Sequence, residues 1–152
     1  EIVASEKKPT FLSTGMTNMD EIDKAVSIFK KNECEFMLLH TVSTYPAKES
    51  HLNLKCINTL KERYGVPVGY SGHESTVSPS VIAASLGACA IERHITIDRA
   101  MYGSDQAASL QKEGLKQLVN IIRKIPIILG NGEKVILKEE HEVSKKLRYW
   151  SS

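Results

Sequence analysis

The feature that most constrains this chain is a repeated unit: a short apolar segment closed by a polar cluster, then a stretch with helical periodicity. The apolar segments begin at Pro9, Phe36, Val66 and Cys89. Their spacing of roughly 25–30 residues is the size of one βα unit. Residues 9–12 lead into Ser13-Thr14-Gly15-Met16, and residues 36–39 lead towards Ser43-Thr44-Tyr45-Pro46. Residues 66–70 lead into Ser71-Gly72-His73-Glu74, and the segment 89–95 contains Glu92-Arg93-His94. Between them, Met19, Ile22, Ala25, Val26 and Phe29, then Leu54, Ile57, Leu60 and Tyr64, repeat with a period near 3.6. Alternation of this kind predicts an α/β fold with a parallel sheet and right-handed crossovers. Ligands of such folds sit where the strands end, so four polar strand ends point to one shared mouth.

The helix boundaries are also legible. Thr17 and Asp20 stand at capping-box spacing before the first helix. Gly65 ends the second helix, and Pro79 suits the first turn of a third over residues 78–86. Ser109 is the expected cap of a fourth helix carrying Leu115, Leu118, Val119 and Ile122, which Pro126 should kink or end. Gly130-Asn131-Gly132 is a turn, and residues 139–147 form a last helix. Four βα units are half of a (β/α)8 barrel, and a complete one takes about 200 residues or more, so 152 residues are too few. The chain is therefore an open four-stranded α/β sheet or a piece of a barrel. The opening Glu1-Ile2-Val3-Ala4-Ser5 reads as the tail of a preceding helix and favours the piece.

Charge narrows the function classes. Twenty Lys and Arg face eighteen Asp and Glu, and the two signs are interleaved, which gives no nucleic-acid footprint. The run Lys138-Glu139-Glu140-His141-Glu142 with Lys145-Lys146 mixes signs and reads as a solvated helix face. No apolar run approaches the roughly 18 residues of a membrane span, and the start has no signal-peptide pattern. Cys34, Cys56 and Cys89 are isolated and odd in number, as expected of reduced cysteines in a cytoplasmic protein. Cys89, between alanines, reads as a small core residue.

The strand ends carry recognisable chemistry. His73 and His94 stand just past adjacent strands, whose ends lie about 5 Å apart, so the pair can share one cation. Two imidazoles do not close a structural zinc site but suit an open one completed by substrate and water. Singly, each reads as a hydrogen-bonded structural histidine, which is how His40, His51 and His141 read. Glu92 is two residues before His94 and shares its face, where it could orient the imidazole or hold a cation-bound water. Ser13, Ser43 and Ser71 recur at three successive strand ends, where hydroxyls suit a phosphate and also cap turns. Tyr45 could donate to a sugar-like ligand or pack in the core. Asp105, in Tyr102-Gly103-Ser104-Asp105, is either a turn residue or a carboxylate over the mouth. Neither a GxGxxG nor a P-loop occurs.

Five segments together resemble the sialic acid synthase family, the N-acetylneuraminate synthases with their legionaminate and pseudaminate relatives. They are Phe11-Leu12-Ser13-Thr14-Gly15-Met16, Ser43-Thr44-Tyr45-Pro46, Gly69-Tyr70-Ser71-Gly72-His73-Glu74, Glu92-Arg93-His94-Ile95-Thr96-Ile97-Asp98, and Gly103-Ser104-Asp105 with Ala108-Ser109-Leu110. The resemblance implies a (β/α)8 barrel followed by a small antifreeze-like domain, in a domain-swapped homodimer. It implies condensation of phosphoenolpyruvate with N-acetylmannosamine or a related N-acylated amino sugar, with a divalent cation, Mn2+ or Mg2+. Carbon 3 of phosphoenolpyruvate attacks the sugar aldehyde, water adds at carbon 2, and phosphate leaves by C–O cleavage. By that resemblance His73 and His94 hold the cation, and Ser13, Ser43 and Ser71 bind phosphoenolpyruvate. Tyr45 and Asp105 contact the amino sugar, Glu92 lies in the substrate site, and Asp105 is the catalytic candidate.

The residues matched are those of the second half of the barrel, residues 1–138, with 139–152 a terminal helix and linker. The family's earlier strands, with a proton-transferring glutamate and phosphate-neutralising lysines, are not among them. Gln106 stands where some members have His. The expectation is a chain inactive alone, with an exposed sheet edge prone to association. Two other functions are compatible with the strand ends: a metal-dependent hydrolase using the histidine pair, and a non-catalytic phosphosugar-binding module.

Overall fold

A computed structural model describes residues 1–148 and 150. Four parallel strands pair in chain order: β1 (Thr10–Ser13), β2 (Phe36–Thr41), β3 (Val68–Gly72) and β4 (Ile91–Arg93). The helices are α1 (Ile2–Ser5), α2 (Met19–Lys31), α3 (Cys56–Tyr64), α4 (Ser78–Ser85), α5 (Lys112–Leu129) and α6 (Lys138–Leu147). This is a half-barrel: parallel strands joined by helical crossovers, as the βα spacing predicts. Its register is continuous, with Ser13 opposite Leu39, Thr41 opposite Ser71 and Ser71 opposite Glu92.

Strand periodicity separates the two faces of the sheet. One face carries Leu12, Phe36, Leu38, Val68 and Tyr70. These pack with Ile22, Val26 and Phe29 of α2, Ile57, Leu60 and Tyr64 of α3, and Ala83 of α4. Full burial of a side chain such as Leu38 or Ile57 stabilises the fold by about 1.5–3 kcal/mol each. The opposite face carries Phe11, Met37, Leu39 and Gly69, then Thr41, Ser71 and Glu92 towards the strand ends. Among the described residues no helix covers it, and Phe11 on it is 61% exposed.

Several boundaries differ from the sequence expectation. The capping box of α2 is Asn18 with Glu21, one residue on from Thr17 and Asp20. Asn18 Oδ1 accepts from Glu21 N–H at 3.0 Å, and Glu21 Oε2 accepts from Asn18 N–H at 2.8 Å. Thr17 instead donates to the Thr14 carbonyl at 2.8 Å. Gln111, not Ser109, precedes α5, because the Ser109 hydroxyl is engaged by the Asp105 carbonyl at 2.8 Å. Pro126 lies inside α5, which continues to Leu129. A proline removes its own N–H from the ladder and crowds the carbonyl four residues back, yet the helix still closes with Gly130 N–H on the Pro126 carbonyl at 3.2 Å. Cys89 is exposed rather than a core residue. It precedes β4, whose outer edge is unpaired at that level. Past Arg93 the edge is covered locally, where Leu110 N–H donates to the His94 carbonyl at 2.8 Å and Thr96 N–H to the Leu110 carbonyl at 2.9 Å. The last part of the expected 139–152 segment, residues 149, 151 and 152, lies outside the described residues. No helix of the described residues is long and apolar enough to cross a membrane.

On the outer surface, Asp23 of α2 accepts from Arg63 Nε at 3.0 Å and from the Tyr64 hydroxyl at 2.8 Å, which clasps α2 to α3. The Arg63 hydrogen bond, then that of Tyr64, hold the Asp23 carboxyl below its ordinary value of 3.8. A depressed folded-state pKa gives stability that is present above the unfolded value and lost as pH falls through the folded one. Asp23→Asn should therefore lower the urea midpoint at neutral pH. The difference from the parent should close as pH is taken below 3.8, and a pH series of urea denaturation curves checks it.

Candidate functional site

The mouth is assembled from loops at the carboxyl ends of the strands. His73 leaves β3 with its ring buried, and its Nδ1 lies 2.9 Å from the Val42 carbonyl. A carbonyl only accepts, so Nδ1 carries a proton, and in the neutral ring that leaves the lone pair on Nε2. His94 follows β4, and its Nδ1 lies 3.5 Å from Asp105 Oδ2. The two imidazoles stand edge to face with centroids 5.0 Å apart. Tyr45 covers both, at 4.3 Å from the His73 ring and 5.6 Å from the His94 ring. Four residues singled out from sequence, far apart along the chain, thus form one cluster.

The remaining candidates lie around it. Ser71 is buried and donates to Glu92 Oε1 at 2.7 Å across the β3–β4 pair. Glu92 is therefore engaged by Ser71, and the partner that steadies His94 is Asp105. Ser43 sits against the β1 loop: a Cβ at Gly15 would come within 2.2 Å of Ser43 Oγ and 2.6 Å of Thr41 Cγ2. Only a residue without a side chain lets these two loops approach so closely. Thr41 also donates to the Ser71 carbonyl at 2.7 Å, which links the ends of β2 and β3. Ser13 ends β1 on the same sheet face, exposed and two strands from Ser71.

His73 and His94 are the residues of the mouth that could hold a divalent cation. His73 has Nδ1 bonded to a carbonyl, the arrangement that fixes the tautomer of metal-binding histidines, and His94 Nδ1 faces the Asp105 carboxylate at 3.5 Å. Two nitrogens leave several coordination positions for substrate and water. Among the described residues, no group of three or more His, Cys, Asp or Glu side chains could hold a metal ion.

Sequence reasoning missed the charged residue beside each histidine. Glu74 and Arg93 form a buried ion pair at 3.0 Å, with side chains 1% and 2% exposed. Glu74 also accepts from the Tyr70 hydroxyl at 2.8 Å and from Ser80 Oγ at 3.0 Å. Burial, reinforced by the Glu74 carboxylate, drives the Tyr70 phenol far above its ordinary range, and it remains neutral. Burial also pulls the Arg93 guanidinium down, opposed by Glu74. The available signal was the order of the pairs, His73-Glu74 on one strand end and Arg93-His94 on the next.

A half-barrel with its polar residues gathered at the strand ends defines a ligand-binding α/β domain of the barrel class. The chain belongs to the NeuB family, whose model matches residues 1–134. It is 42% identical over 149 residues to an uncharacterized protein of Methanocaldococcus jannaschii, covering 97% of this chain and 44% of the relative. It is 40% identical over 143 residues to N,N'-diacetyllegionaminic acid synthase of Campylobacter jejuni, covering 92% of this chain and 43% of the relative. Among solved structures, the N-acetylneuraminic acid synthetase of Leptospira borgpetersenii, in complex with citrate, superposes with a TM-score of 0.82 at 39% identity. That match covers 97% of this chain and 53% of the solved one. The chain spans less than half the length of these curated relatives.

Gly15→Ala tests the contact between the first two loops. Relief requires Ser43 to rotate and Thr41 to leave the Ser71 carbonyl, so overpacking should destabilise the protein by about 1–3 kcal/mol. Ser43→Gly in the same chain should recover only part of that loss, since the Thr41 clash persists. Chemical denaturation of the two single variants and the double variant checks it.

Proposed function

We propose that this chain supplies the cation-binding and phosphoenolpyruvate-facing half of a nonulosonate synthase. The reaction condenses phosphoenolpyruvate with N-acetylmannosamine or a related N-acylated amino sugar and releases phosphate. The observation that carries the reading is the histidine pair, its rings 5.0 Å apart with His73 Nδ1 on the Val42 carbonyl, flanked by Tyr45 and Asp105. Membership of a family whose relatives are named as sialic and legionaminic acid synthases supports it.

His73 and His94 would hold Mn2+ or Mg2+, which supplies Lewis-acid polarisation of a carbonyl oxygen. Ser13 and Ser43 would offer hydroxyls at strand ends to the phosphate and carboxylate of phosphoenolpyruvate, and Ser71 would join them only by releasing Glu92. Tyr45, stacked on the histidine rings, would offer its outer, exposed side to the amino sugar. Asp105 orients His94 and stands as the carboxylate able to hold a proton at Oδ as the aldehyde oxygen becomes a hydroxyl. Glu92, held by Ser71, presents its second oxygen to the water that adds at carbon 2. The new C3–C bond consumes the enol of phosphoenolpyruvate, and breaking the C2–O bond releases phosphate. No lysine or arginine stands among these residues to neutralise the phosphate. We propose that these groups come from the other half of a barrel, and that the whole enzyme is a cytoplasmic homodimer.

The 152-residue chain should bind Mn2+, and replacing both histidines, His73→Ala with His94→Ala, should abolish that binding in a calorimetric titration. The chain alone should give no phosphate release from phosphoenolpyruvate plus N-acetylmannosamine. Joined to the amino-terminal half of a barrel from a relative, it should release phosphate only when the amino sugar is present. Turnover by the isolated chain at ordinary enzymatic rates would overturn the half-site reading. Phosphate release without any sugar would favour hydrolysis, and a stable monomer that binds both ligands without turnover in the joined protein would favour a binding module.

A further inference from the structure

The ion pair between Glu74 and Arg93 lies next to both histidines in the chain but not in the mouth, and the proposed chemistry does not use it. Its hydrogen bonds describe what it does. Arg93 Nη1 donates to Glu74 Oε1 at 3.0 Å, to the Thr76 carbonyl at 2.9 Å and to Ser80 Oγ at 3.1 Å. Arg93 Nη2 donates to the Glu74 carbonyl and, at 3.4 Å, to the Ala108 carbonyl. One guanidinium therefore grips the backbone of the β3–α4 loop just after His73 and the backbone of the loop that carries Asp105. It is itself bonded along the chain to His94. Glu74 is fixed in turn by Tyr70 and Ser80, so the carboxylate is anchored to β3 and to α4.

A buried ion pair is weak evidence for stability, because desolvation offsets much of the attraction and an apolar pair of similar volume often serves as well. Here one buried nitrogen, Arg93 Nε, also has no hydrogen-bond partner among the described residues. The planar fork of arginine can reach several acceptors in fixed directions, which the lysine ammonium cannot reproduce. The network thus has the geometry of a brace between two loops, the one after β3 and the one after β4.

We propose that Glu74 and Arg93 are positioning residues that set the separation and orientation of His73 and His94 for a divalent cation, an inference that rests on the cation site proposed above. Outer partners of metal-binding histidines typically change metal affinity by about 10–100-fold when lost. Arg93→Lys keeps the charge opposite Glu74 and loses the fork. Tyr70→Phe keeps the ion pair whole and removes one anchor of Glu74, which guards against a variant that fails to fold.

The experiment is a titration of the intact protein with Mn2+ alone, following free Mn2+ by electron paramagnetic resonance, beside thermal unfolding of the metal-free protein. Arg93→Lys should fold and bind Mn2+ at least 10-fold more weakly, and Tyr70→Phe should weaken it by a smaller factor in the same direction. A brace that matters only for stability would lower the unfolding midpoint and leave the Kd of the folded protein unchanged in both variants, and that result overturns the proposal. Should Arg93→Lys fail to fold, an unchanged Kd in Tyr70→Phe overturns it by itself. Parent protein that binds no Mn2+, or binds it equally well as His73→Ala, overturns the cation site first and this inference with it. Binding lost in His73→Ala but unaltered in the brace variants overturns this inference alone.

Discussion

Parallel pairing in unbroken register is the constraint on which the rest of this structure depends. In a parallel sheet every strand ends at the same edge, so residues separated by about one βα unit in sequence are delivered side by side. The row Thr41, Ser71 and Glu92 follows directly from the pairing of β2, β3 and β4. The hydrogen bonds from Thr41 to the Ser71 carbonyl and from Ser71 to Glu92 then tie that row across three strands. A slip of one residue in any strand would turn its serine or glutamate towards the helices, where Leu38, Val68 and Tyr70 now pack.

The two faces of the sheet have different burdens. The helical face is closed by an apolar layer from α2, α3 and α4, which accounts for most of the burial of the chain. The other face is apolar low on the strands and polar near their ends, and Phe11 on it remains largely open to solvent. The unpaired edges of β1 and β4 expose strand backbone of the kind that templates further pairing. Leu110 shields β4 only at the level of His94 and Thr96, and that contact also brings the Asp105 loop to the mouth.

Much of this was legible in the sequence because it is periodic or local. The four strands, their order of alternation with helices, and the histidine pair follow from spacing and from the rule that ligands sit at strand ends. The errors have physical causes. Asn18 and Thr17 are both able caps, and which one serves depends on where Thr17 finds its acceptor, the Thr14 carbonyl. Cys89 reads as core because its neighbours are alanines, yet exposure at a sheet edge depends on what lies beside the strand. Pro126 reads as a kink or an end, and the helix does not end there but runs on to Leu129, because one missing N–H does not outweigh the remaining ladder of a long helix. The Glu74–Arg93 brace stayed hidden because a charged residue in a motif reads as solvated or as substrate-facing. Only packing shows that both side chains turn away from the mouth and find each other.

Strand order in space follows strand order in the chain, and this orders the assembly of the molecule in time. Each pairing closes a loop about one βα unit long, so contacts are near in sequence and their closure entropy is modest. A chain emerging amino-terminus first can lay β1, β2 and β3 on their helices in the sequence in which they are synthesised. His73 is then in place, while His94, Arg93 and the Asp105 loop are still to come. The pair of imidazoles comes into existence only with the docking of β4, the shortest of the four strands.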